Sequence, residues 1–196
     1  MLKRGVALLL LLCMALPCAA AAEQADARRV VYLTFDDGPS SFTDRLLDCL
    51  EENNAKATFF MVGTEIASFP EEVKRMKELG CELGNHTYDH TDLTTLSSED
   101  ISSEIARVDQ QLVDLTGQGA SVVRPPYGSV NDTVKATIGT PMILWSIDTL
   151  DWKTLDSQST VDEVMNNVQD GSIVLMHDIY STSVDAAEIL IPQLIE

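Results

Sequence analysis

Two of the three histidines in this 196-residue sequence, His86 and His90, stand four positions apart. On a helical turn this spacing would bring both imidazoles to the same side, as a pair of metal ligands requires. With one carboxylate they would form a set of two histidines and one acid, which leaves coordination positions open for water and substrate. The pair alone fits two ordinary surface histidines equally well, so the rest of the chain has to decide.

Two adjacent acids, Asp36 and Asp37, are followed by Gly38 and Pro39. Asp, Gly and Pro commonly form the turn after a strand, which is one explanation of this segment. If both carboxylates are buried, a turn alone does not explain them, because like charges raise the pKa of one acid unless a cation or a strong hydrogen-bond donor is close. A metal ion and Arg124 could supply both, and the two acids would then have different roles.

Segments typical of strands precede most of these residues. From residue 30 onward, short apolar stretches alternate with longer segments of helical period, and no repeat or linker interrupts them. This pattern predicts an α/β chain with a parallel sheet that is covered on both faces. The predicted strands cover residues 30–35, 57–62, 81–85, 121–124, 142–147 and 172–177.

Five of the six predicted strands end in polar residues that could do chemistry. These residues are Asp36, Asp37, His86, Arg124, Asp148 and His177. In α/β enzymes, functional side chains collect at the carboxyl ends of the strands. The sequence therefore predicts one site along one rim, although periodicity does not distinguish a (β/α) barrel from an open doubly wound sheet.

The clearest predicted helix begins at Ser97 or Ser98 and ends at Gly117. Its apolar residues recur at steps of three and four positions, which predicts a stripe facing the core. That stripe consists of Ile101, Ile105, Val108, Leu112 and Leu115. Other helices are predicted over residues 43–53, 70–79, 131–138, 161–168 and from 184 to the end.

Residues 1–22 have the composition of a secretory signal peptide, with Lys3 and Arg4 before an apolar run and an alanine-rich end. The apolar run is shorter than a membrane-spanning helix needs, so no stable span is expected after cleavage. Cleavage removes two of the 13 basic residues and none of the 31 acidic ones, which changes the net charge from −18 to −20. Such a charge repels nucleic acid. We expect a secreted protein.

Two cysteines, Cys49 and Cys81, remain after the signal peptide is removed. Two are too few to build a disulfide-dependent scaffold, so a hydrophobic core must stabilise the fold. Both positions are typical of buried small side chains, and a single bridge between them stays open.

Five segments stand in order along the chain, at residues 34–40, 86–90, 124–128, 148–152 and 175–177. They read TFDDGPS, HTYDH, RPPYG, DTLDW and LMH, and together they resemble the five motifs of the polysaccharide deacetylases, carbohydrate esterase family four. The resemblance spans residues 30–178. It implies a distorted (β/α) barrel and a catalytic domain at residues 30–196, after a short N-terminal segment at residues 23–29.

The resemblance also assigns the metal site and the base. Asp37, His86 and His90 would bind one divalent metal ion, with zinc expected and cobalt or nickel compatible with the same ligands. Asp36 would act as the general base, and Arg124 would hold it in position.

The remaining motifs imply the acid and the substrate contacts. His177 would protonate the leaving amine, and Asp148 would favour the charged form of its imidazole. The backbone N–H of Tyr127 would stabilise the oxyanion. Trp152 and Leu175 would form an apolar pocket for the acetyl methyl group.

The resemblance implies a metal-dependent hydrolase that removes acetyl groups from N-acetylglucosamine residues of peptidoglycan or a chitin-type polysaccharide. An O-acetyl esterase acting on acetylated xylan stays an alternative, because ester and amide hydrolysis can use the same site. A non-catalytic glycan-binding relative is a third. A serine hydrolase and a nucleotide-binding protein are disfavoured, because the sequence has neither a Gly-x-Ser-x-Gly segment nor a glycine-rich phosphate loop.

The C-terminus departs from the family pattern, in which a closing strand usually follows the last helix. This sequence ends at Glu196, so we expect an incomplete barrel that lacks its last strand. The first strand would then have an unpaired edge, which lowers stability and favours association of an otherwise monomeric chain.

Overall fold

The computed structural model describes residues 29–195. Six parallel strands form one sheet: β1 (Tyr32–Asp36), β2 (Thr58–Met61), β3 (Glu82–Asn85), β4 (Val122–Val123), β5 (Ile147–Asp148) and β6 (Ile173–His177). The helices are α1 (Thr43–Glu52), α2 (Gly63–Ser68), α3 (Pro70–Glu78), α4 (Ser98–Thr116), α5 (Asp132–Thr137), α6 (Asp151–Thr154), α7 (Ser157–Asn167) and α8 (Ser181–Ile195). Short 3₁₀ turns lie at Leu93–Thr95 and Pro126–Gly128. The predicted α/β class and parallel sheet are confirmed.

Strand β1 lies inside the sheet, whose order is β4-β3-β2-β1-β6-β5. It pairs in parallel with β2 on one side and with β6 on the other. The expectation that the first strand has an unpaired edge is therefore wrong. The register places Asp36 opposite both Phe60 and His177, which brings the ends of β1 and β6 side by side.

The segment 141–148 meets both ends of the sheet. At its start, Met142 forms a bridge with Val123 of β4. At its end, Ile147 pairs with Val174 of β6. One segment thus closes the sheet into a barrel, and the closure is distorted because its pairing changes from one strand to another. The prediction of a continuous strand over residues 142–147 is only partly right for the same reason.

The guanidinium of Arg124 fills the gap where this pairing changes. Its Nε donates to the backbone carbonyl of Ile143 at 3.1 Å, and Nη2 donates to that of Leu144 at 3.0 Å. Buried carbonyls without a donor are costly, so a side chain here supplies hydrogen bonds that a regular strand would have made. Arg124 is fully buried, which is consistent with this role in the barrel wall.

The core lies between the sheet and the helices around it. Phe35 of β1 and Phe59 of β2 are buried, and their rings stack with centroids 5.6 Å apart. Leu46 and Leu50 of α1 face them, and Leu190 of α8 joins the same cluster. Full burial of each such side chain contributes about 1.5–3 kcal/mol. This packing fixes β1, which carries the two adjacent acids.

Helix α4 forms as the sequence predicts. The hydroxyl of Ser97 accepts a hydrogen bond from the backbone N–H of Asp100, and Gly117 ends the helix with φ of 78°. Glycine adopts this left-handed conformation without steric cost, whereas other residues are strained by it. Ile101, Val108 and Leu112 are fully buried, as expected for the core-facing stripe.

Two short helices, α2 and α6, were not predicted, since six and four residues are too few to show a helical period. Helix α7 begins at Ser157, four residues before the predicted start, because the carboxylate of Asp156 accepts the backbone N–H of Ser159. The other predicted helices agree with the structure to within about three residues.

The predicted signal peptide lies outside the described residues. None of the helices within residues 29–195 is long and apolar enough to cross a lipid bilayer. In the same range Cys49 and Cys81 are both free and buried, so the structure holds two thiols rather than a bridge.

Candidate active site

The two acids at the end of β1 differ in backbone conformation and surroundings. Asp36 continues the strand and is 3% exposed, whereas Asp37 has φ of 71° and turns out of it. This left-handed conformation is strained for a residue with a side chain, and such strain concentrates at functional sites. The turn sends the two carboxylates in different directions, as their predicted roles require.

The segment between the histidines is a strained loop rather than the helical turn on which the spacing argument relied. His86 follows β3, and both Thr87 and His90 have positive φ, at 70° and 61°. The two rings nevertheless converge, with centroids 5.0 Å apart. The prediction that they face the same site agrees with the structure, but the helical reason for it was wrong.

Asp37, His86 and His90 offer ligand atoms that all lie within 4.8 Å of one another. The Oδ1 atom of Asp37 is 3.4 Å from Nε2 of His86 and 3.3 Å from Nε2 of His90. That oxygen is buried and has no hydrogen-bond partner among residues 29–195. A buried oxygen left without a partner beside two imidazole nitrogens fits a divalent cation bound by these three residues.

A backbone contact sets the tautomer of His86. Its Nδ1 lies 2.6 Å from the carbonyl oxygen of Arg124. A carbonyl can only accept, so Nδ1 carries the proton and Nε2 is left with a free lone pair on the side of Asp37. Burial alone would raise the pKa of Asp37, but the neighbouring histidines outweigh burial and lower it, which keeps this carboxylate ionised.

Asp36 is bound by Arg124, as predicted. Nη1 of Arg124 donates to Oδ1 of Asp36 at 2.6 Å and to the hydroxyl of Thr34 at 2.8 Å. Burial raises the pKa of Asp36 although the charges of His86 and Arg124 oppose the change. A carboxylate with a raised pKa is a better proton acceptor near neutral pH than an ordinary aspartate.

His177 faces the same site from β6, with its Nε2 4.0 Å from Oδ2 of Asp37. Its Nδ1 lies 2.8 Å from Oδ1 of Asp151, and the other oxygen of Asp151 accepts the backbone N–H of His177. Burial would lower the pKa of His177, but its contact with Asp151 outweighs burial and raises it. His177 is therefore poised to carry a proton.

This geometry corrects the role expected for Asp148. Its carboxylate accepts the backbone N–H of Leu150 and lines the cavity, but Asp151 is the acid in contact with His177. The reason is the short helix α6, which begins at Asp151 and directs that side chain into the core, where it is 1% exposed. Two acids in the segment 148–152 could not be told apart without this turn.

A cavity of about 380 Å³ opens over these groups. The predicted substrate residues Tyr127, Trp152 and Leu175 all line it, as do Trp145 and Tyr180, which the sequence analysis did not single out. Leu175 is buried, whereas Trp152 and Tyr127 are largely exposed at the mouth. The cavity therefore has an apolar wall and a rim of aromatic side chains, an arrangement suited to a small molecule with an apolar group.

The turn after β4 is tightly constrained. Tyr127 has φ of 60° and Gly128 has φ of 66°, and a Cβ atom at Gly128 would lie 3.0 Å from the ring of Trp145. Only glycine fits that approach without strain. The Tyr127 ring packs edge-on against His90, with centroids 4.8 Å apart, so the turn directly contacts one of the predicted metal ligands.

The sequence profile of a family described as "Polysaccharide deacetylase" matches residues 23–140. The chain belongs to the polysaccharide deacetylase family. The sequence-based resemblance and the distorted barrel that it implied are thereby confirmed.

Several members of this deacetylase family are similar to the chain over most of its length. The peptidoglycan-N-acetylglucosamine deacetylase PgdA of Listeria monocytogenes is 42% identical over 161 residues, which are 82% of this chain and 34% of the relative. The peptidoglycan-N-acetylmuramic acid deacetylase PdaC of Bacillus subtilis is 39% identical over 168 residues, 85% of this chain and 36% of that protein. The chain thus spans about a third of the length of these relatives.

Solved structures of similar proteins agree with the fold. The structure of PdaC has a TM-score of 0.84 at 39% identity and covers 86% of this chain and 84% of that one. The Xyl-CE4 domain of a multidomain xylanase from the hindgut metagenome of Trinervitermes trinervoides has a TM-score of 0.81 at 34% identity, with 85% and 83% covered. Likeness at this identity supports a shared fold and family, within which the substrate differs from member to member.

Sequence reasoning missed some residues around this candidate site. Asp151 belongs to the motif at residues 148–152, but the sequence analysis gave it no function. Glu104 lies outside all five motifs. Asp178, next to His177, is fully buried, and burial raises its pKa to about 7. For Glu104 the available signal was an acid next to the core-facing stripe of a predicted helix, and for Asp178 an acid directly after a predicted strand, because acids are rarely buried without a partner.

Proposed function

We propose that the chain is a metal-dependent deacetylase that hydrolyses the acetamide group of N-acetylglucosamine residues in peptidoglycan or a chitin-type polysaccharide. The observation that carries the proposal is the convergence of Asp37, His86 and His90 at the base of the cavity, with Asp36 and His177 beside them. The similarity to deacetylases named for peptidoglycan favours that polymer. Secretion or attachment to the cell wall goes with such a substrate.

Asp37, His86 and His90 would hold the ion, with zinc expected from two imidazoles and one carboxylate. A bound divalent cation supplies Lewis acidity, which polarises a carbonyl and makes a water molecule acidic enough to act near neutral pH. Oδ1 of Asp37 has no hydrogen-bond partner among the described residues, and the tautomer of His86 leaves the lone pair of Nε2 free, so both atoms are available to bind the ion.

The protein's own groups would move the protons. Asp36, held by Arg124, takes the proton of the attacking water as the oxygen bonds to the acetyl carbon. The developing oxyanion would accept a hydrogen bond from the backbone N–H of Tyr127, which belongs to the constrained turn after β4. His177, charged through its contact with Asp151, gives its proton to the nitrogen as the carbon–nitrogen bond breaks. Acetate and a free amine leave. Asp36 then releases its proton to solvent, and His177 takes up a proton from solvent.

The third histidine provides a matched control for a metal test. His86→Ala and His90→Ala should each lose the bound metal and the activity, whereas His177→Ala should keep about one metal per chain and lose only turnover. Elemental analysis and acetate release from N-acetylglucosamine oligomers measure the two properties. Full activity in excess chelator, or metal retained by all three variants, would reject the proposal.

An O-acetyl esterase is the second candidate, and the similarity to the Xyl-CE4 domain favours it. The same residues serve an ester, but the alkoxide leaving group depends less on protonation than an amine does. Acetate release from peptidoglycan strands, chitin oligomers and acetylated xylan should be compared for the wild type and for His177→Ala. The esterase would be favoured if acetylated xylan is turned over faster than the acetamide substrates and if the His177→Ala variant keeps this activity.

A further inference from the structure

The loop that carries both histidines stores backbone strain. Thr87 and His90 have positive φ, a backbone conformation that is unfavourable for residues with a side chain. A loop of this kind keeps its shape only where its surroundings hold it. The contacts that hold this one come largely from residues outside the five motif segments.

Glu104, in the middle of α4, provides the main contact. Its Oε2 accepts the backbone N–H of Tyr88 at 2.9 Å and that of Asp89 at 3.2 Å. These are two of the three residues between His86 and His90. Glu104 is 8% exposed, so these bonds to a carboxylate are made largely out of water, where they are stronger than neutral ones.

Asn85 ties the start of the same loop to α4. Its Oδ1 accepts the backbone N–H of Thr87 at 2.9 Å, while its Nδ2 donates to the carbonyl of Ile105 at 2.9 Å and to Asp109 at 3.2 Å. Three successive N–H groups of the loop, at residues 87–89, are therefore satisfied by two side chains that α4 carries or contacts. Helix α4 has 19 residues and caps at both ends, which makes it a rigid support.

The opposite side of the loop is bound as well. The carbonyls of Thr87 and Tyr88 accept the N–H groups of Gly63 and Thr64 at the start of α2, each at 3.0 Å. The guanidinium of Arg107, one turn along α4 from Glu104, covers the Tyr88 ring at 3.2 Å from its centroid. Backbone and side chain of the loop are thus fixed on both faces.

We propose that Glu104 is a positioning residue of the metal site: it fixes the loop between the two histidines so that both imidazoles meet Asp37. This inference rests on the proposed function, because it concerns the ligands of the proposed ion. Glu104 does not touch the cluster, and it acts only through the loop backbone. Residues that orient metal ligands in this way typically contribute a factor of 10–100 in metal affinity.

The test compares Glu104→Ala with Glu104→Gln. Alanine leaves two N–H groups without an acceptor, so zinc affinity, measured by chelator competition on metal-free protein, should fall 10–100-fold. Glutamine keeps an oxygen in place and should restore affinity to within about threefold of the wild type. Amide exchange at residues 88 and 89 should speed up in the alanine variant alone.

Asp114→Ala is the matched control, because Asp114 is an exposed acid on the same helix. It should leave affinity and loop exchange unchanged. If Glu104→Ala does not fold, Glu104→Asp makes the same test, since it keeps the charge and withdraws the carboxylate by one methylene. Wild-type affinity in the folded alanine or aspartate variant would overturn the inference. A wild type that binds no metal would instead count against the proposed function.

Discussion

Asp151 and Asp148 stand three positions apart in one motif, yet only Asp151 contacts the general-acid candidate His177. The sequence could assign an acid to the imidazole but could not choose between the two. The choice depends on α6, which is a single turn and leaves no periodic pattern. Asp36, Asp37 and His86 could be placed at the site because they follow predicted strands, and the motif resemblance, not residue type alone, assigned roles to them and to His90.

Asp151→Asn should shift the pH dependence of kcat/KM. Contact with Asp151 raises the pKa of His177, and the acid works only below that pKa. Loss of the negative charge should therefore move the alkaline limb of the profile to lower pH and reduce the maximal rate. Asp148→Asn is the control, and its alkaline limb should stay in place. The reverse result for the two variants would restore Asp148 to the role first expected.

Asp178 should make stability depend on pH in the neutral range. Burial raises its pKa from 3.8 to about 7, so the folded protein keeps a proton that the unfolded chain has lost. The free energy of unfolding should therefore fall as pH rises from about 4 to about 7, by about 1.4 kcal/mol per unit at most. Asp178→Asn resembles the protonated acid and should remove this contribution.

Urea unfolding of the metal-free wild type and of Asp178→Asn, at several pH values, measures the difference between the two slopes. The comparison cancels the groups that both proteins share. Parallel curves for the two proteins would mean that Asp178 titrates as an ordinary aspartate. Asparagine keeps a side-chain oxygen that can accept the hydroxyl of Thr43, which donates to Asp178 in the wild type.

At the scale of elements, most strands and helices follow from periodicity and capping residues. The segment 141–148 does not, because it pairs with β4 at its start and with β6 at its end. The pattern of apolar residues indicates which residues are buried, but not which strand they pair with. A change of pairing strand within one segment therefore cannot be seen in the sequence. The same limit explains why the barrel and the open sheet could not be distinguished.

Arg124→Lys should destabilise the barrel even where the ion pair with Asp36 is absent. Lysine keeps the charge but lacks the fork that reaches the carbonyls of Ile143 and Leu144. We expect a loss of about 2–4 kcal/mol in the free energy of unfolding, from two buried acceptors left unsatisfied.

A double-mutant cycle separates the two roles of Arg124. Most of the loss from Arg124→Lys should persist in an Asp36→Asn background, because the contacts to the carbonyls do not involve Asp36. Denaturant unfolding of the four proteins gives the coupling energy. If the loss disappears in that background, the ion pair alone accounts for it.

For the molecule as a whole, closure by the segment 141–148 changes the expected behaviour in solution. An unpaired edge on β1 was the physical reason to expect association, and β1 has partners on both sides. We therefore expect residues 23–196 to sediment as a monomer at micromolar concentration. A dimer that persists on dilution would require an interface elsewhere on the surface.

The two buried thiols give the protein a pair of internal reporters. Burial raises the pKa of Cys49 on α1 and of Cys81 just before β3, so neither reacts with a thiol reagent while its surroundings stay closed. In a chain without residues 1–22 they are the only cysteines. A chromogenic disulfide would label Cys81 in the Cys49→Ala protein and Cys49 in the Cys81→Ala protein. The two labelling rates would therefore measure how fast each part of the barrel wall opens. Equal rates would mean that the barrel opens as one unit, and unequal rates would identify the wall that opens first.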